Sequence, residues 1–348
     1  MLRKIYNFLT LYFWKPQYDH PSLKKVYHNI AKPFENITAA FEDNEINENF
    51  NNDNKKWYHN EYVYLLENNS LVEPSNKICI KGFRTLILET LSRVNDRPSL
   101  FRYLLFKLSF KKKLFIEKAV LFDGNTGVNY FHFFSDILPK IWVLEKLNLG
   151  DGIPYIIPKE TFERNYFQYL LKNTSLKNKT WIVQDNSCWI EVKSLYLIKA
   201  YPYTIDYWKR TISLFNLNHS RSINKIFLTR SAKAGRYIKN MDEIENVLEK
   251  YNIEVIDTEN LTFEEEIKTF SEAELIIGLH GAGNTNIIFS DLEKVKFIEI
   301  MPSKNTNSQY FWLANVLGIN YDVLKGGALD ENKAFVVNPD LLEKAILK

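Results

Sequence analysis

The sequence predicts an α/β fold with a parallel sheet covered on both faces. Between Ile223 and Leu324, short apolar runs alternate with amphipathic segments, and the links between them are short. The run Leu275 to Phe289, LIIGLHGAGNTNIIF, leaves an apolar strand through His280 and two glycines, straight into a second apolar segment.

Bulk properties agree with such a fold. The chain has 348 residues, enough for two domains, with 45% hydrophobic and 25% charged residues. Its mean hydropathy of −0.28 is that of a soluble globular protein. A net charge of +3 does not imply nucleic acid, and no nucleic-acid partner is expected. Cys79 and Cys188 make neither a disulfide framework nor a zinc site, which fits a reducing compartment. No internal repeat is present.

The first segment, MLRKIYNFLTLYFWKP, is basic, aromatic and too short to span a bilayer. Two readings fit it: a helix packed on the domain, or an interfacial helix with Arg3 and Lys4 near headgroups and Tyr12, Phe13 and Trp14 dipping in. Residues 35–56 are rich in Asn and acids with little periodicity, and read as mostly loop. In Gly127 to Trp142, GVNYFHFFSDILPKIW, His132 and Asp136 stand four residues apart, so a helix puts them on one face. The Asp can fix the tautomer of the His and raise its basicity, or the pair can be structural.

The C-terminal half supplies five strand candidates: Ile223 to Arg230, Ile253 to Glu259, Glu274 to Leu279, Val295 to Met301 and Asn320 to Leu324. Between them, Asn240 to Tyr251 has apolar residues at helix spacing. Thr262 to Glu265 has capping-box form and opens a helix to about Ala273. Ala282 to Ser290 can form a helix, and Ser308 to Ile319 forms one ending near Gly318. Residues 331–348 are expected to end the chain as a helix packing back.

Ligands of open α/β sheets bind beyond the carboxyl ends of the strands. His280 lies there. Gly281, Ala282 and Gly283 bring backbone N–H groups of the next helix to the same place, the usual makings of an anion seat. Asn284, Thr285 and Asn286 are candidate added donors. The bland alternative is a capped turn with a satisfied histidine. Arg230, ending the first strand, can clamp a phosphate through two hydrogen bonds, and Arg236 is either a second cation or a solvated loop charge. Glu299, in the fourth strand, is either a ribose acceptor or half of a salt bridge. The set suggests a nucleotide diphosphate. No G-x-G-x-x-G and no Walker loop occurs.

NYFHFFSDILPKIW, IFLTRS…AGRYIKN, LIIGLHGAGNTNIIF, FIEIMP and YFWLANVLGINY occur in that order, and the set resembles glycosyltransferase family 61. Asn284 departs from the family motif, where an apolar residue is common. The resemblance implies a GT-B architecture, two Rossmann-like domains facing a cleft, with the sugar nucleotide on the C-terminal one. It also implies inverting transfer to a hydroxyl. The expected division is an N-terminal extension over 1–75, an acceptor-side domain over 76–215, a nucleotide-sugar domain over 216–330 and the terminal helix. Asp136, oriented by His132, or the reverse, would be the base. Arg230, His280 and the helix N-terminus would carry the leaving diphosphate. No Asp-x-Asp occurs, so no metal and no cofactor are expected. The partners implied are a nucleotide-diphosphate sugar and a glycan or lipid-linked acceptor, with peripheral membrane contact through the N-terminus.

A cytoplasmic enzyme of bacterial capsule or lipopolysaccharide synthesis is the leading expectation. A polyol- or glycerol-phosphate transferase and a non-catalytic glycan-binding module compete with it. So does a structural partner of a membrane assembly, resting on the N-terminus and FKKKLF, Phe110 to Phe115.

Overall fold

The computed structural model describes residues 2–31, 37–56, 59–90, 96–109, 113–124, 126–201, 204–219, 224–230, 236–304 and 306–348. The chain divides into two compact units: Met1–Ala31 with Asn60–Pro202, and Lys32–His59 with Tyr203–Lys348.

The first unit is built on a mixed sheet. Its parallel part runs in the order Trp181–Gln184, Tyr155–Pro158, Leu114–Leu121, Ile190–Lys199. The far edge of Ile190–Lys199 pairs antiparallel with His59–Leu66 and Ser70–Val72. Tyr155–Pro158 is buried along its whole length, as a strand covered on both faces must be. At the N-terminus, the helix Leu2–Phe13 leads into Trp14, which is buried and donates its indole N–H to the Pro98 carbonyl at 2.9 Å. Lys15–Gln17 then pairs in parallel with Thr85–Ile87. The end of this segment is therefore packed, while Phe8 and Tyr12 remain exposed. The side chains of Arg3 and Lys4 lie outside the described residues.

The second unit holds a five-stranded, all-parallel sheet: Glu254–Ile256, Asn224–Leu228, Ala273–Leu279, Lys296–Ser303, Asn320–Ala328. In chain order this is second, first, third, fourth, fifth. The order reverses between the first and third strands, which makes their carboxyl ends the topological switch point. The expected elements are present. Thr262 and Glu265 form the capping box of the helix Phe263–Ser271. The helix Gln309–Leu317 stops at Gly318, whose φ of 75° suits glycine. The helix Pro339–Leu347 buries Leu342 in the core beneath the sheet. Ile223 and Ser231 to Gly235, expected in the first strand and its following loop, fall outside the described residues.

One expectation is corrected. Residues 44–56, read as loop, form the helix Asn44–Lys56. Asparagine is a poor helix former, so propensity misleads here. Burial compensates: Ile46 and Phe50, one turn apart, have no exposed surface, and Phe50 stacks on Phe311 at 5.3 Å. The asparagines act as clamps. Asn47 accepts from the Phe41 N–H and donates to the Phe41 carbonyl; Asn51 does the same with Ala39. Each amide thus satisfies both backbone groups of a residue that no strand partners.

Candidate functional site

In the second unit, strand register determines what meets at the switch point. Gly278 pairs with Glu299, and Glu299 with Val323. Side chains alternate along a strand, so His280, Glu299 and Tyr321 share one face. They form a chain. His280 Nδ1 lies 2.6 Å from Glu299 Oε1, and the Tyr321 hydroxyl donates to Glu299 Oε2 at 2.7 Å. Glu299 has no exposed surface, and His280 is 7% exposed. Burial and the charge of Glu299 hold the Tyr321 hydroxyl well above its ordinary pKa, so it stays a donor. With Nδ1 committed to a carboxylate, the free nitrogen of His280 is Nε2.

Glu299, expected from sequence as a ribose acceptor or half of a salt bridge, is held between His280 and Tyr321. Both its oxygens are engaged, one by the histidine it orients. The alternative of a salt bridge to Lys or Arg is replaced by this His–Glu–Tyr chain.

Arg230 follows the first strand and donates from Nη1 to the His280 carbonyl at 2.9 Å. Burial and the like charge of Arg236 pull its pKa down, so the two guanidiniums sense each other. Gly281 makes room: a Cβ there would lie 2.6 Å from Arg230 Nη1. Its backbone is extended, so the missing side chain matters for space and not for conformation.

A cavity of about 220 Å³ opens at this point, lined by Arg230, Thr258, Gly281, Ala282, Gly283 and Asn284, with Asp257 and Glu259 also on its wall. The segment Ala282–Phe289 is a 3₁₀ helix, and its first N–H groups, having no partner within it, belong to residues lining the cavity. Asn284, Thr285 and Asn286, expected as added donors, are buried. Asn284 donates to the Leu279 carbonyl, in space left by Gly278. The Thr285 hydroxyl meets the Tyr310 hydroxyl at 3.3 Å, and Asn286 donates to Glu266 at 3.0 Å. These bonds anchor the helix; of the three residues, Asn284 also lines the cavity. Burial pushes the Glu266 carboxyl up to about 7.

The sequence reading missed Thr258 and Tyr310. Thr258 follows the short second strand. Tyr310 donates to the Gly281 carbonyl at 2.7 Å. Only the strand order could have brought the first of these to the switch point.

In the first unit, His132 Nδ1 and Asp136 Oδ2 lie 2.7 Å apart, both side chains nearly half exposed. Asn129 caps the turn by accepting from the His132 N–H. Phe133–Ile137 is a π-helix, closed by the Leu138 N–H on the Phe133 carbonyl. Pro139 then starts the helix Pro139–Lys146, where its missing N–H costs nothing. Such π turns recur at functional sites. Hydrogen bonding to Asp136 raises the pKa of His132 against the effect of burial. One turn on, Lys140 donates to the Phe122 carbonyl at 2.7 Å, with Asp123 and Asp136 acting on its charge. Asp123 is buried and accepts from the Thr126 and Gly127 N–H groups and the Thr161 hydroxyl, fixing the loop ahead of the pair. Lys140 and Asp123 were not among the sequence candidates.

Among the described residues, no three His, Cys, Asp or Glu side chains converge as a metal-binding group. No helix among them is long and apolar enough to cross a membrane. Residues 130–301 match the family model described as Glycosyltransferase 61, which spans both His132–Asp136 and the switch-point cavity. No curated protein matches the chain.

Proposed function

The chain belongs to glycosyltransferase family 61, and on that premise we propose that it moves a sugar, with inversion, from a nucleotide-diphosphate sugar to a hydroxyl of a glycan or lipid-linked acceptor. The observation that carries the reading is the cavity at the switch point, lined by Arg230 and by the N-terminus of Ala282–Phe289. A diphosphate is the ligand for which that donor set is suited. His280, oriented by Glu299, presents Nε2 to the phosphates or to the leaving oxygen. These groups take up the charge that develops as the glycosidic bond breaks, so the transfer needs no metal ion.

Inverting transfer also needs a base for the acceptor hydroxyl. Asp136, hydrogen-bonded to His132, takes that proton, and His132 stabilises the carboxylate and its orientation. The parallel-rich sheets of the two units support a GT-B reading. Bacterial surface polysaccharide is the product class that the Lys-, Asn- and Ile-rich composition favours.

A panel of nucleotide sugars incubated with the purified protein tests this. One member should raise the melting temperature and be slowly hydrolysed or transferred. A ligand at about 100 times its dissociation constant stabilises by about 2.7 kcal/mol. Stabilisation without any turnover would favour the non-catalytic module, and no stabilisation by any member would refute the donor site.

A further inference from the structure

Two helices of the first unit carry apolar side chains on the side turned away from the core. In Leu100–Leu108, Tyr103 and Phe106 are buried, yet Phe101, Leu104, Leu105 and Leu108 are exposed. The exposed set repeats at i, i+3, i+4 and i+7, the spacing by which a helix ordinarily buries a face. In Leu2–Phe13, Phe8 and Tyr12 are exposed one turn apart, with ring centroids 4.3 Å apart. Phe83 ties the two helices together. It is itself 59% exposed, 5.6 Å from the Phe13 ring and 6.2 Å from the Tyr103 ring. Apolar residues exposed singly need no explanation, but a set drawn from three adjoining segments does.

Charge indicates what meets this surface. The whole chain is nearly balanced, with 45 basic and 42 acidic residues. Residues 1–18 nevertheless carry three basic residues and no acidic one, and residues 97–116 six and none. Lys15, Arg102 and Lys107 are exposed at the margins of the apolar stripes. Of the FKKKLF run, Phe110 to Lys112 lie outside the described residues, so Lys111 and Lys112 enter only the count by sequence.

We propose that this surface seats on an anionic lipid bilayer. Leu2–Phe13 and Leu100–Leu108 lie in the interface, apolar side chains entering the acyl boundary and the basic ones meeting headgroups. The second helix and Phe83 extend the contact well beyond the N-terminal segment. The inference does not rest on the transfer reaction: it stands or falls with binding alone. An acidic protein surface or a second copy of the chain would cover the same face by different means.

The test is co-sedimentation of the full chain with phosphatidylcholine vesicles, with and without phosphatidylglycerol. Anionic vesicles should hold the protein at least roughly tenfold better than neutral ones, and the excess should vanish at high salt. Phe101→Ser/Leu104→Ser/Leu108→Ser should cut binding at least roughly tenfold, at unchanged melting temperature. Arg102→Glu/Lys107→Glu should remove the preference for anionic vesicles while the triple serine variant, retaining its basic residues, keeps a weak one. Equal binding to both compositions, no binding to either, or full binding by the triple variant would overturn the proposal. So would a dimer in light scattering that the triple variant abolishes, which would assign the face to a second copy.

Discussion

Gly281→Ala is the smallest change that probes the anion seat. Position 281 is extended, at φ 173°, so alanine brings no backbone strain. It brings one methyl group, whose carbon would sit 2.6 Å from Arg230 Nη1 and 3.0 Å from Cζ. Ordinary contact begins near 3.5 Å. The guanidinium is the movable end of a flexible side chain, so it yields and the fold survives. In yielding, it gives up the His280 carbonyl, now 2.9 Å away, and leaves the cavity wall. A hydrogen bond from a charged group is worth about 1.5–3 kcal/mol. Affinity for a nucleoside diphosphate should then fall roughly 10- to 150-fold. Calorimetric titration measures this. Arg230→Ala should weaken binding to the same extent, and adding Gly281→Ala to it should cost nothing more. Undiminished affinity in a folded Gly281→Ala protein, or additive losses in the double variant, would refute the link between this glycine and Arg230.

Asp136→Asn should lower transfer by roughly 100-fold or more with donor affinity unchanged, and near-normal turnover would remove the pair from the mechanism. The same variant has a pH signature. A raised His132 pKa means that the pair's stabilisation is present below about pH 6.5 and is lost as pH climbs through the raised value. The melting-temperature gap between wild type and variant should therefore narrow with rising pH; a gap that widens contradicts the assignment. Glu299→Gln keeps volume but sets an amide against two donors, so it should destabilise the protein by about 1–3 kcal/mol in denaturant titrations, with Tyr321→Phe milder. A neutral Glu299→Gln would mean that the His–Glu–Tyr chain is not made in solution. Activity should survive EDTA, since the leaving diphosphate is met by guanidiniums and a helix N-terminus; loss restored by Mg²⁺ would refute this.

The parallel sheet was legible because each strand of the second unit is a short apolar run and helices such as Met241–Lys250 and Phe263–Ser271 keep a 3.6 period. His280, Arg230 and the glycines were legible because strand ends are where such sheets bind ligands. Orientation within Asn284–Asn286 was not. A short 3₁₀ helix gives no periodicity from which to tell inward from outward, and polar side chains that anchor it look like polar side chains that serve a ligand. The partners of Glu299 were hidden for a related reason: they depend on register with two neighbouring strands, which spacing along one chain does not encode. His132 and Asp136 were recognised as sharing a face, yet the π turn that Pro139 follows was not. The helix Asn44–Lys56 was hidden because its stability comes from Phe311 and the backbone at 39–41, not from its own composition.

That helix also constrains how the protein is made. Residues 32–59 leave the ribosome roughly 250 residues before Phe311, the ring on which Phe50 stacks. At about 5–20 residues per second, the delay is on the order of 10–50 s. During that time Ile46 and Phe50 have no surface to cover them, and an asparagine-rich helix does not hold itself together alone. Meanwhile the chain on either side, 1–31 and 60–202, has everything it needs to condense. The second unit thus closes only when its last strands emerge and recover a segment synthesised long before. A fragment starting at residue 203 would lack that segment, and should fold poorly unless a peptide covering 32–59 is supplied in trans.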